Sequence, residues 1–336
     1  MATPLLEWFA LERRPLPWRR EPRDPYRVWV SEVMLQQTRV DVVVPYFERF
    51  VRRFPTLPAL AAAPLDDVLA LWSGLGYYTR ARNLHRAARA AGGSLPRTRD
   101  ELLALPGFGP YTAAAVASLA FGEDVPLVDG NVARVLARLF RLGGDARAQA
   151  WSRAGDLLPR GRAGAFNEAL MELGALVCLP RNPRCGACPL ARICEGKDEP
   201  DRFPAKKERK PRPLLEWRAV ALRRRSDGAV LLSRRPEGSL FAGLWDLPAP
   251  ESVERLWSAL EPRGEVRQTL THREVRVAIF TASATGRAPA GMRWVLPSGL
   301  GSLGLSSLAA KSLQQAGVAG TRRAGVAGTR PKQSLG

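Results

Sequence analysis

A glycine-rich turn between two helix patterns is the feature that most constrains the fold of this chain. The turn spans residues 105–110 (LPGFGP), and the apolar residues 111–121 after it predict a buried helix. Upstream, Thr98 and Glu101 have capping-box spacing, which begins the helix that leads into the turn. Gly107 and Gly109 can adopt backbone angles closed to other residues, so the turn can present bare N–H groups beside a helix start, where anions bind. The prediction is a helix–hairpin–helix with a phosphate-sized pocket, although an ordinary helical hairpin fits the same residues.

The charge of the chain favours a polyanionic partner. The 336 residues carry a net charge of +19, and the length predicts roughly two domains. Arg provides nearly all of the positive charge, and the first Lys of the chain is Lys197. The chain lacks a run of about 18 apolar residues and a signal-peptide pattern, so we expect a cytoplasmic protein with no membrane partner.

The first part of the chain reads as helix throughout, which predicts an all-α domain over residues 1–195. Asp24 followed by Pro25 is a strong helix start, and the helix after it carries Glu32 inside a mostly apolar run. A carboxylate in that position either faces solvent or lies in a dry pocket with a raised pKa. A second lone carboxylate, Asp129, follows the hairpin helix by one short segment.

Four cysteines lie close together near the end of this domain. Cys178, Cys185, Cys188 and Cys194 have the spacing C-x6-C-x2-C-x5-C. Four thiolates in one short loop can hold a tetrahedral zinc ion or an iron–sulfur cluster. The pattern has one CxxC pair where a zinc ribbon has two, which favours iron–sulfur. The loop over residues 178–194 is basic, through Arg181 and Arg184, and could contact phosphate.

The remaining residues predict a linker, a second domain and a tail. Residues 196–213 are charged and rich in proline, as linkers are. Residues 217–222, 229–233 and 275–282 alternate as strands, so residues 214–313 are predicted to form a smaller α+β domain. The tail over residues 314–336 repeats the sequence AGVAGTR and is predicted to be disordered.

Several motifs together resemble one family. The hairpin LPGFGPYTA, the segment VDGNVARV and the four-cysteine loop are similar to the endonuclease III superfamily of DNA base-excision glycosylases. Within that superfamily, LPWR, WVSEVMLQQTRV, GLGYYTRARNLH and GAFNEALMELGALVC resemble the MutY-type adenine glycosylases over residues 16–194. The resemblance implies removal of adenine mispaired with 8-oxoguanine or guanine, a [4Fe–4S] cluster on the four cysteines, and a monomer acting on double-stranded DNA of the bacterial nucleoid.

The resemblance also assigns roles to residues. It makes Glu32 the acid that protonates adenine, and Asp129 the carboxylate that stabilises the sugar cation, with support from Tyr111 and Asn131. The apolar surroundings of Glu32 agree with that role, because burial raises the pKa of a carboxyl. The residues implied to line the adenine pocket are Trp18, Arg19, Leu35 and Glu168. The implied DNA contacts are Gln37, Tyr77, Gly107, Gly109, Arg181 and Arg184.

The resemblance also predicts whether an amine takes part in cleaving the glycosidic bond. Bifunctional members of the superfamily use a Lys beside the hairpin, where this chain has Tyr111, and residues 1–195 contain no Lys at all. An amine nucleophile is therefore missing, which predicts a monofunctional glycosylase.

Residues 231–248 (LLSRRPEGSLFAGLWDLP) make the second domain resemble the Nudix-like lesion-reading domain of the family. No acidic box follows, so nucleotide hydrolysis is not expected. The usual Phe-Ser-His of the reading loop is replaced by Leu270, Thr271 and His272, so Thr271 and His272 are the residues expected to read 8-oxoguanine. Two alternatives stay open: an endonuclease III-like enzyme for oxidised pyrimidines, and a non-catalytic iron–sulfur protein that binds damaged DNA.

Overall fold

The computed structural model describes residues 1–205 and 211–318, which form two compact units. The first unit contains residues 1–63 and 82–209, and the second contains residues 64–81 and 210–336, each within the described ranges. The division differs from the expected one because segment 64–81 packs with the second unit. The hydroxyls of Ser73 and Tyr78 both donate to the carbonyl of Leu305, at 2.8 and 2.9 Å.

Helices account for the regular structure of residues 1–205. In chain order they are α1 (Ala2–Glu12), α2 (Pro25–Leu35), α3 (Val40–Arg53), α4 (Leu57–Ala62), α5 (Leu65–Trp72), α6 (Thr79–Ala90), α7 (Arg99–Leu103), α8 (Pro110–Phe121), α9 (Gly130–Leu139), α10 (Ala146–Asp156) and α11 (Ala163–Leu176). Among the described residues, no helix is both long and apolar enough to span a bilayer. The predicted all-α domain is confirmed.

The predicted helix starts are confirmed. The side chain of Asp24 accepts hydrogen bonds from the amides of Tyr26 and Arg27, and Pro25 occupies the first position of α2. Thr98 and Glu101 form the complete capping box at the start of α7. These caps fix where α2 and α7 begin, and therefore which of their residues face the interior.

The hairpin between α7 and α8 has one constrained glycine. Gly107 has a φ of 79°, and a Cβ at this position would lie 2.4 Å from Cβ of Asn83, so only glycine fits. Gly109 does not use this conformational freedom. It has a φ of −96° and open space around it, because it serves as the extended N-cap residue of α8.

The core of the first unit is built around α8. Its residues from Thr112 to Leu119 are buried, and the run of alanines lets α2, α7 and α11 pack closely against it. Helix α9 packs against α10 and α11. Because α2, α8, α9 and α11 share one core, the side chains at their ends are held in fixed relative positions.

Six strands and one further α-helix lie among the described residues of the second unit. They are β1 (Leu214–Arg224), β2 (Val230–Arg234), β3 (Trp245–Asp246), β4 (Glu261–Thr269), β5 (Glu274–Ala284), β6 (Met292–Val295) and α12 (Ser307–Gln315). The sheet order is β3-β2-β1-β5-β4, with β6 paired to β2. Strands β1 and β5 are parallel, and the other pairs are antiparallel. The expected α+β class is confirmed.

The expected tail begins too early. Helix α12 continues to Gln315, Gly317 closes it with a φ of 72°, and Val318 is buried at 3% exposure. The amide of Val318 donates to the carbonyl of Leu313, which completes a Schellman-type helix end. Residues 314–318 therefore belong to the second unit, and the rest of the predicted tail lies outside the described residues.

The expected linker is also partly structured. The guanidinium of Arg138 donates to the carbonyls of Pro200 and Phe203, at 2.9 and 3.1 Å. Residues 200–203 are therefore attached to the first unit. Residues 206–210 of the expected linker lie outside the described residues.

Candidate active site

A cleft of about 1010 Å³ in the first unit collects most of the predicted site residues. It is lined by the end of α2, the starts of α8 and α9, and faces of α10 and α11. The predicted residues that line it are Trp18, Arg19, Glu32, Leu35, Gln37, Gly107, Gly109, Tyr111, Asp129, Asn131 and Glu168. Tyr77, Arg181, Arg184, Thr271 and His272 do not line it. A volume of this size is large enough for a nucleotide.

Glu32 is a buried carboxyl at the wall of this cleft. It lies near the end of α2, is 4% exposed, and accepts a hydrogen bond from the hydroxyl of Tyr111. Burial raises the pKa of Glu32 to about 7, and the negative charges of Asp129 and Glu168 add to the rise. The hydrogen bond from Tyr111 and the charge of Arg19 act in the opposite direction. A carboxyl with a pKa near 7 can give a proton at neutral pH and take one back.

Asp129 is both a helix cap and a cleft residue. One carboxylate oxygen accepts the amide of Val132 at 2.7 Å, and the other accepts the side-chain amide of Asn131 at 3.2 Å. Burial raises the pKa of Asp129, while these amide donors and the charge of Arg134 lower it. Burial outweighs these groups, so the pKa of Asp129 lies above its ordinary value, and the hydrogen-bond donors limit the rise.

Arg134 connects this carboxylate to the cysteine loop. Its guanidinium donates to Oδ1 of Asn131 and to the carbonyls of Gly174 and Cys178, each at 2.8 Å. A Cβ on Gly174 would lie 2.6 Å from Cβ of Asn131, so glycine permits the close approach of α11 to the start of α9. Arg134 thus holds α9, α11 and the first cysteine together.

The four cysteines face one small cavity, as the spacing predicts. All four are free thiols and line a space of about 30 Å³ that is also bordered by Arg138. Burial raises the pKa of Cys188 to about 11, and the three neighbouring thiols contribute to the rise. Four thiolates can therefore coexist here only around positive charge. Four cysteine sulfurs around one cavity are a donor set that an iron–sulfur cluster uses.

Arg138 fixes the path of this loop. Its guanidinium donates to the carbonyls of Leu179 and Pro180 at 2.6 and 3.2 Å, and lies 3.5 Å from the sulfur of Cys178. The predicted DNA contacts Arg181 and Arg184 are exposed in the same loop. Their guanidinium groups are therefore available to a polyanion, as the sequence predicts.

The second unit brings together two residues that are far apart in sequence. The hydroxyl of Tyr77 makes a hydrogen bond with the hydroxyl of Thr271, and Arg212 donates to the carbonyl of Thr271 at 3.3 Å. Tyr77 has a φ of 50° and is 42% exposed, and Thr271 and His272 are also exposed. The residues expected to wedge into DNA and to read the lesion are therefore neighbours within this unit.

Several cleft residues were missed by the sequence reasoning. They are Arg14, Arg147, Trp151, Met171 and Glu172. Arg147 and Trp151 are four residues apart on α10, and Glu172 follows Glu168 by four residues on α11. The spacing of four, which places side chains on one helix face, was the available signal.

The fold and the cleft define the class of the protein. Residues 30–160 match the HhH-GPD superfamily of base excision DNA repair proteins, and residues 178–194 match the iron–sulfur binding domain of endonuclease III. Residues 219–315 match the NUDIX domain. The chain is therefore a helix–hairpin–helix base-excision repair protein, and its four-cysteine loop binds a [4Fe–4S] cluster.

Within that class, the chain belongs to the adenine DNA glycosylase family. The adenine DNA glycosylase of Homo sapiens is 36% identical, over 87% of this chain and 69% of the relative. Among solved structures, a thermostable thymine-DNA glycosylase is 32% identical with a TM-score of 0.54, over 59% of this chain and 94% of that chain. An endonuclease III–DNA complex is 25% identical with a TM-score of 0.52, over the same shares.

Proposed function

We propose that this chain excises adenine mispaired with 8-oxoguanine or guanine in double-stranded DNA, as a monofunctional glycosylase that acts as a monomer. The chain is a DNA N-glycosylase of base excision repair. The observation that carries the adenine chemistry is the position of Glu32, a buried carboxyl with a pKa of about 7, on the same cleft as Asp129. A carboxyl group that donates a proton and a second carboxyl group nearby are the usual requirement for breaking a glycosidic bond.

The reaction follows from the roles of these groups. Adenine leaves the base stack and enters the cleft, because its glycosidic bond is not reachable inside the duplex. Glu32 gives its proton to N7 of adenine, and the bond between N9 and C1′ breaks with its electron pair on the base. The carboxylate of Asp129 stabilises the cation left on the sugar. The ionised Glu32 then takes a proton from water, whose hydroxide adds to C1′. The products are adenine and an abasic site, and Glu32 is protonated again.

The other groups of the site support these steps. Tyr111 holds the carboxyl of Glu32 through its hydrogen bond, and Asn131 holds Asp129. The exposed turn at Gly107 and Gly109 offers its backbone to a phosphate beside the start of α8. Bound on its four cysteines, the cluster fixes the loop that carries Arg181 and Arg184. The expected cytoplasmic location stays a prediction.

The direct test is a single-turnover glycosylase assay with the cluster-loaded full chain. Duplexes would carry adenine opposite 8-oxoguanine, adenine opposite guanine, or an oxidised pyrimidine opposite a normal partner. We expect adenine release from the first two and no release from the third. If the protein released only oxidised pyrimidines, or bound the duplexes without releasing any base, the proposal would be wrong.

The monofunctional character gives a separate prediction. Borohydride added during turnover is expected to trap no substantial covalent protein–DNA adduct, since Tyr111 occupies the position beside the hairpin and residues 1–195 contain no Lys. A lysine-containing bifunctional glycosylase, treated in parallel, is the positive control. A substantial adduct with this chain, measured by denaturing gel electrophoresis, would overturn the monofunctional assignment.

Lesion reading is assigned to Thr271 and His272, and it can be tested by substitution. The double variant Thr271→Ala/His272→Ala is expected to have about a tenfold lower preference for 8-oxoguanine over guanine opposite adenine. This loss corresponds to about one hydrogen bond. The rate with guanine opposite adenine should stay within about twofold of wild type. Ser283→Ala, an exposed hydroxyl on β5, is the matched control. An unchanged preference in the double variant would remove both residues from lesion reading.

A further inference from the structure

We propose that Glu172 is a positioning residue for the base-binding end of the cleft, holding Arg14 and Arg19 and, through Arg19, the carboxylate of Glu168. In this role it selects a base with an exocyclic amine, because a side-chain oxygen of Glu168 on the cleft wall accepts a hydrogen bond that such an amine donates. The inference rests on the proposed function. It concerns a residue that lies inside the motif GAFNEALMELGALVC but to which the family resemblance assigns no role.

The first reason is that Glu172 supports a part of the cleft wall whose backbone is irregular. Residues 13–24 between α1 and α2 form neither helix nor strand, yet they carry Trp18 and Arg19 to the cleft. Backbone ladders cannot fix such a segment, so side-chain contacts must do so. Trp18 packs edge-on against Phe47, with ring centroids 5.2 Å apart. The other anchors of the segment are charged.

Glu172 is the principal charged anchor. Its side chain is 1% exposed. One carboxylate oxygen accepts the backbone amide and Nε of Arg14 at 2.9 and 2.8 Å, and the other accepts Nη2 of Arg14 at 2.8 Å. Arg19 adds donors at 3.2 and 3.0 Å. Burial alone would raise the pKa of Glu172, but the hydrogen bonds from Arg14 and Arg19 outweigh it and lower the pKa to about 2. Glu172 is therefore ionised at every working pH.

Arg19 transmits this anchor to Glu168. Its Nε donates to Glu168 at 3.1 Å, while Nη1 and Nη2 contact Glu172, so one planar guanidinium bridges both carboxylates. Arg23 completes the arrangement with contacts to Glu168 at 3.2 and 2.7 Å. Because the same guanidinium contacts both carboxylates, the Arg19–Glu172 contact helps to hold Glu168 at the wall of the cleft.

The arrangement also balances charge near the catalytic acid. The groups that act on the protonation of Glu32 are Tyr111, Asp129, Glu168 and Arg19. Arg19 lowers the pKa of Glu32, and an ionised Glu172 in contact with Arg19 offsets that positive charge. Loss of the Glu172 charge should strengthen the effect of Arg19, so that Glu32 loses its proton at a lower pH.

The test compares adenine with purine, which lacks the exocyclic amine, each opposite 8-oxoguanine. Glu172→Gln in the full, cluster-loaded chain keeps the shape but loses the charge. We expect its rate to fall at least tenfold for adenine and less than threefold for purine, which lowers the adenine-to-purine ratio. The pH at which activity is half lost on the alkaline side should also move down. Glu123→Gln, another hydrogen-bonded carboxylate outside the cleft, is the matched control.

The outcomes separate the inference from the function beneath it. Wild-type protein that releases no adenine would overturn the proposed function. The wild type could release adenine while Glu172→Gln kept the wild-type adenine-to-purine ratio and pH profile. That result would overturn only the positioning role of Glu172, even if the variant released adenine more slowly. If Glu172→Gln does not fold, Glu172→Asp is the test variant, because its shorter side chain cannot reach both Arg14 and Arg19. Glu172→Asp should lower the adenine-to-purine ratio at least threefold, and an unchanged ratio would contradict the inference.

Discussion

Glu32→Gln is expected to abolish adenine release and to make the protein more stable at neutral and alkaline pH. The amide cannot protonate the leaving base, so the single-turnover rate should fall by about 10³-fold or more. Gln has nearly the shape of Glu and can still accept the hydroxyl of Tyr111. Binding to DNA, measured by fluorescence anisotropy, should therefore be retained. A variant with more than about a tenth of the wild-type rate would show that Glu32 is not the acid.

The stability part of this prediction follows from proton linkage. Folding raises the pKa of Glu32 from an ordinary 4.5 to about 7, so between these values the folded state holds a proton that the unfolded state has lost. Stability therefore falls as pH rises through this window, and the full cost, on the order of 3 kcal/mol, applies above pH 7. Gln carries no such cost. Thermal unfolding should show a higher Tm for the variant at pH 8 and a nearly equal Tm at pH 4.

The same pKa predicts the pH dependence of wild-type activity. The acid must be protonated to act, so the rate should decline as pH rises above about 7, where Glu32 loses its proton. A single-turnover pH profile measures this decline directly. A rate that stays constant up to pH 9 would contradict the assignment.

Asp129→Asn is expected to reduce the rate by about 10³-fold while leaving the fold intact. Asn caps a helix about as well as Asp, so the hydrogen bond to the amide of Val132 can be kept and α9 should still begin at the same residue. The negative charge facing the sugar cation is lost, and preorganised charge of this kind contributes roughly 3–4 kcal/mol to the transition state. The loss of this charge also removes one of the groups that raise the pKa of Glu32, so the alkaline limit should move to lower pH.

A matched substitution separates the charge of Asp129 from its capping role. Asp145 caps α10 in the same manner, by accepting the amide of Ala148, and it is exposed outside the cleft. Asp145→Asn should leave the rate unchanged, and both variants should unfold within about 1 kcal/mol of wild type. If Asp129→Asn kept a rate within tenfold of wild type, the carboxylate would be a cap and not an electrostatic group.

The parts of the site that depend on local sequence could be predicted from it. Asp24, Thr98 and the LPGFGP turn act through neighbours a few residues away, so α2, α7 and α8 were all expected. The burial of Glu32 is different, because residue type alone favours solvent for a carboxylate, and only the apolar run around it and the family resemblance indicated otherwise. The joint position of Glu32, Tyr111 and Asp129 depends on packing between three helices that no short pattern specifies.

Other features could not be predicted from the sequence, because they depend on residues far apart in the chain or on strands without an apolar pattern. Strand β4 is mostly exposed and charged, so it lacks the apolar alternation that reveals a strand. The packing of segment 64–81 in the second unit depends on carbonyl acceptors more than 220 residues away. Glu172 was overlooked because its partners Arg14 and Arg19 precede it by more than 150 positions. The sequence does not show that Gly107 alone uses a positive φ, because a glycine at a helix cap can also be extended.

The arginines around Glu168 and Glu172 have a practical consequence for experiments on this enzyme. A guanidinium keeps its charge throughout the pH range in which proteins are assayed, whereas an ammonium would begin to lose it. The cationic side of the cleft is therefore a constant background during a pH titration. A bend in the rate profile near neutral pH is therefore not caused by a loss of charge on these arginines.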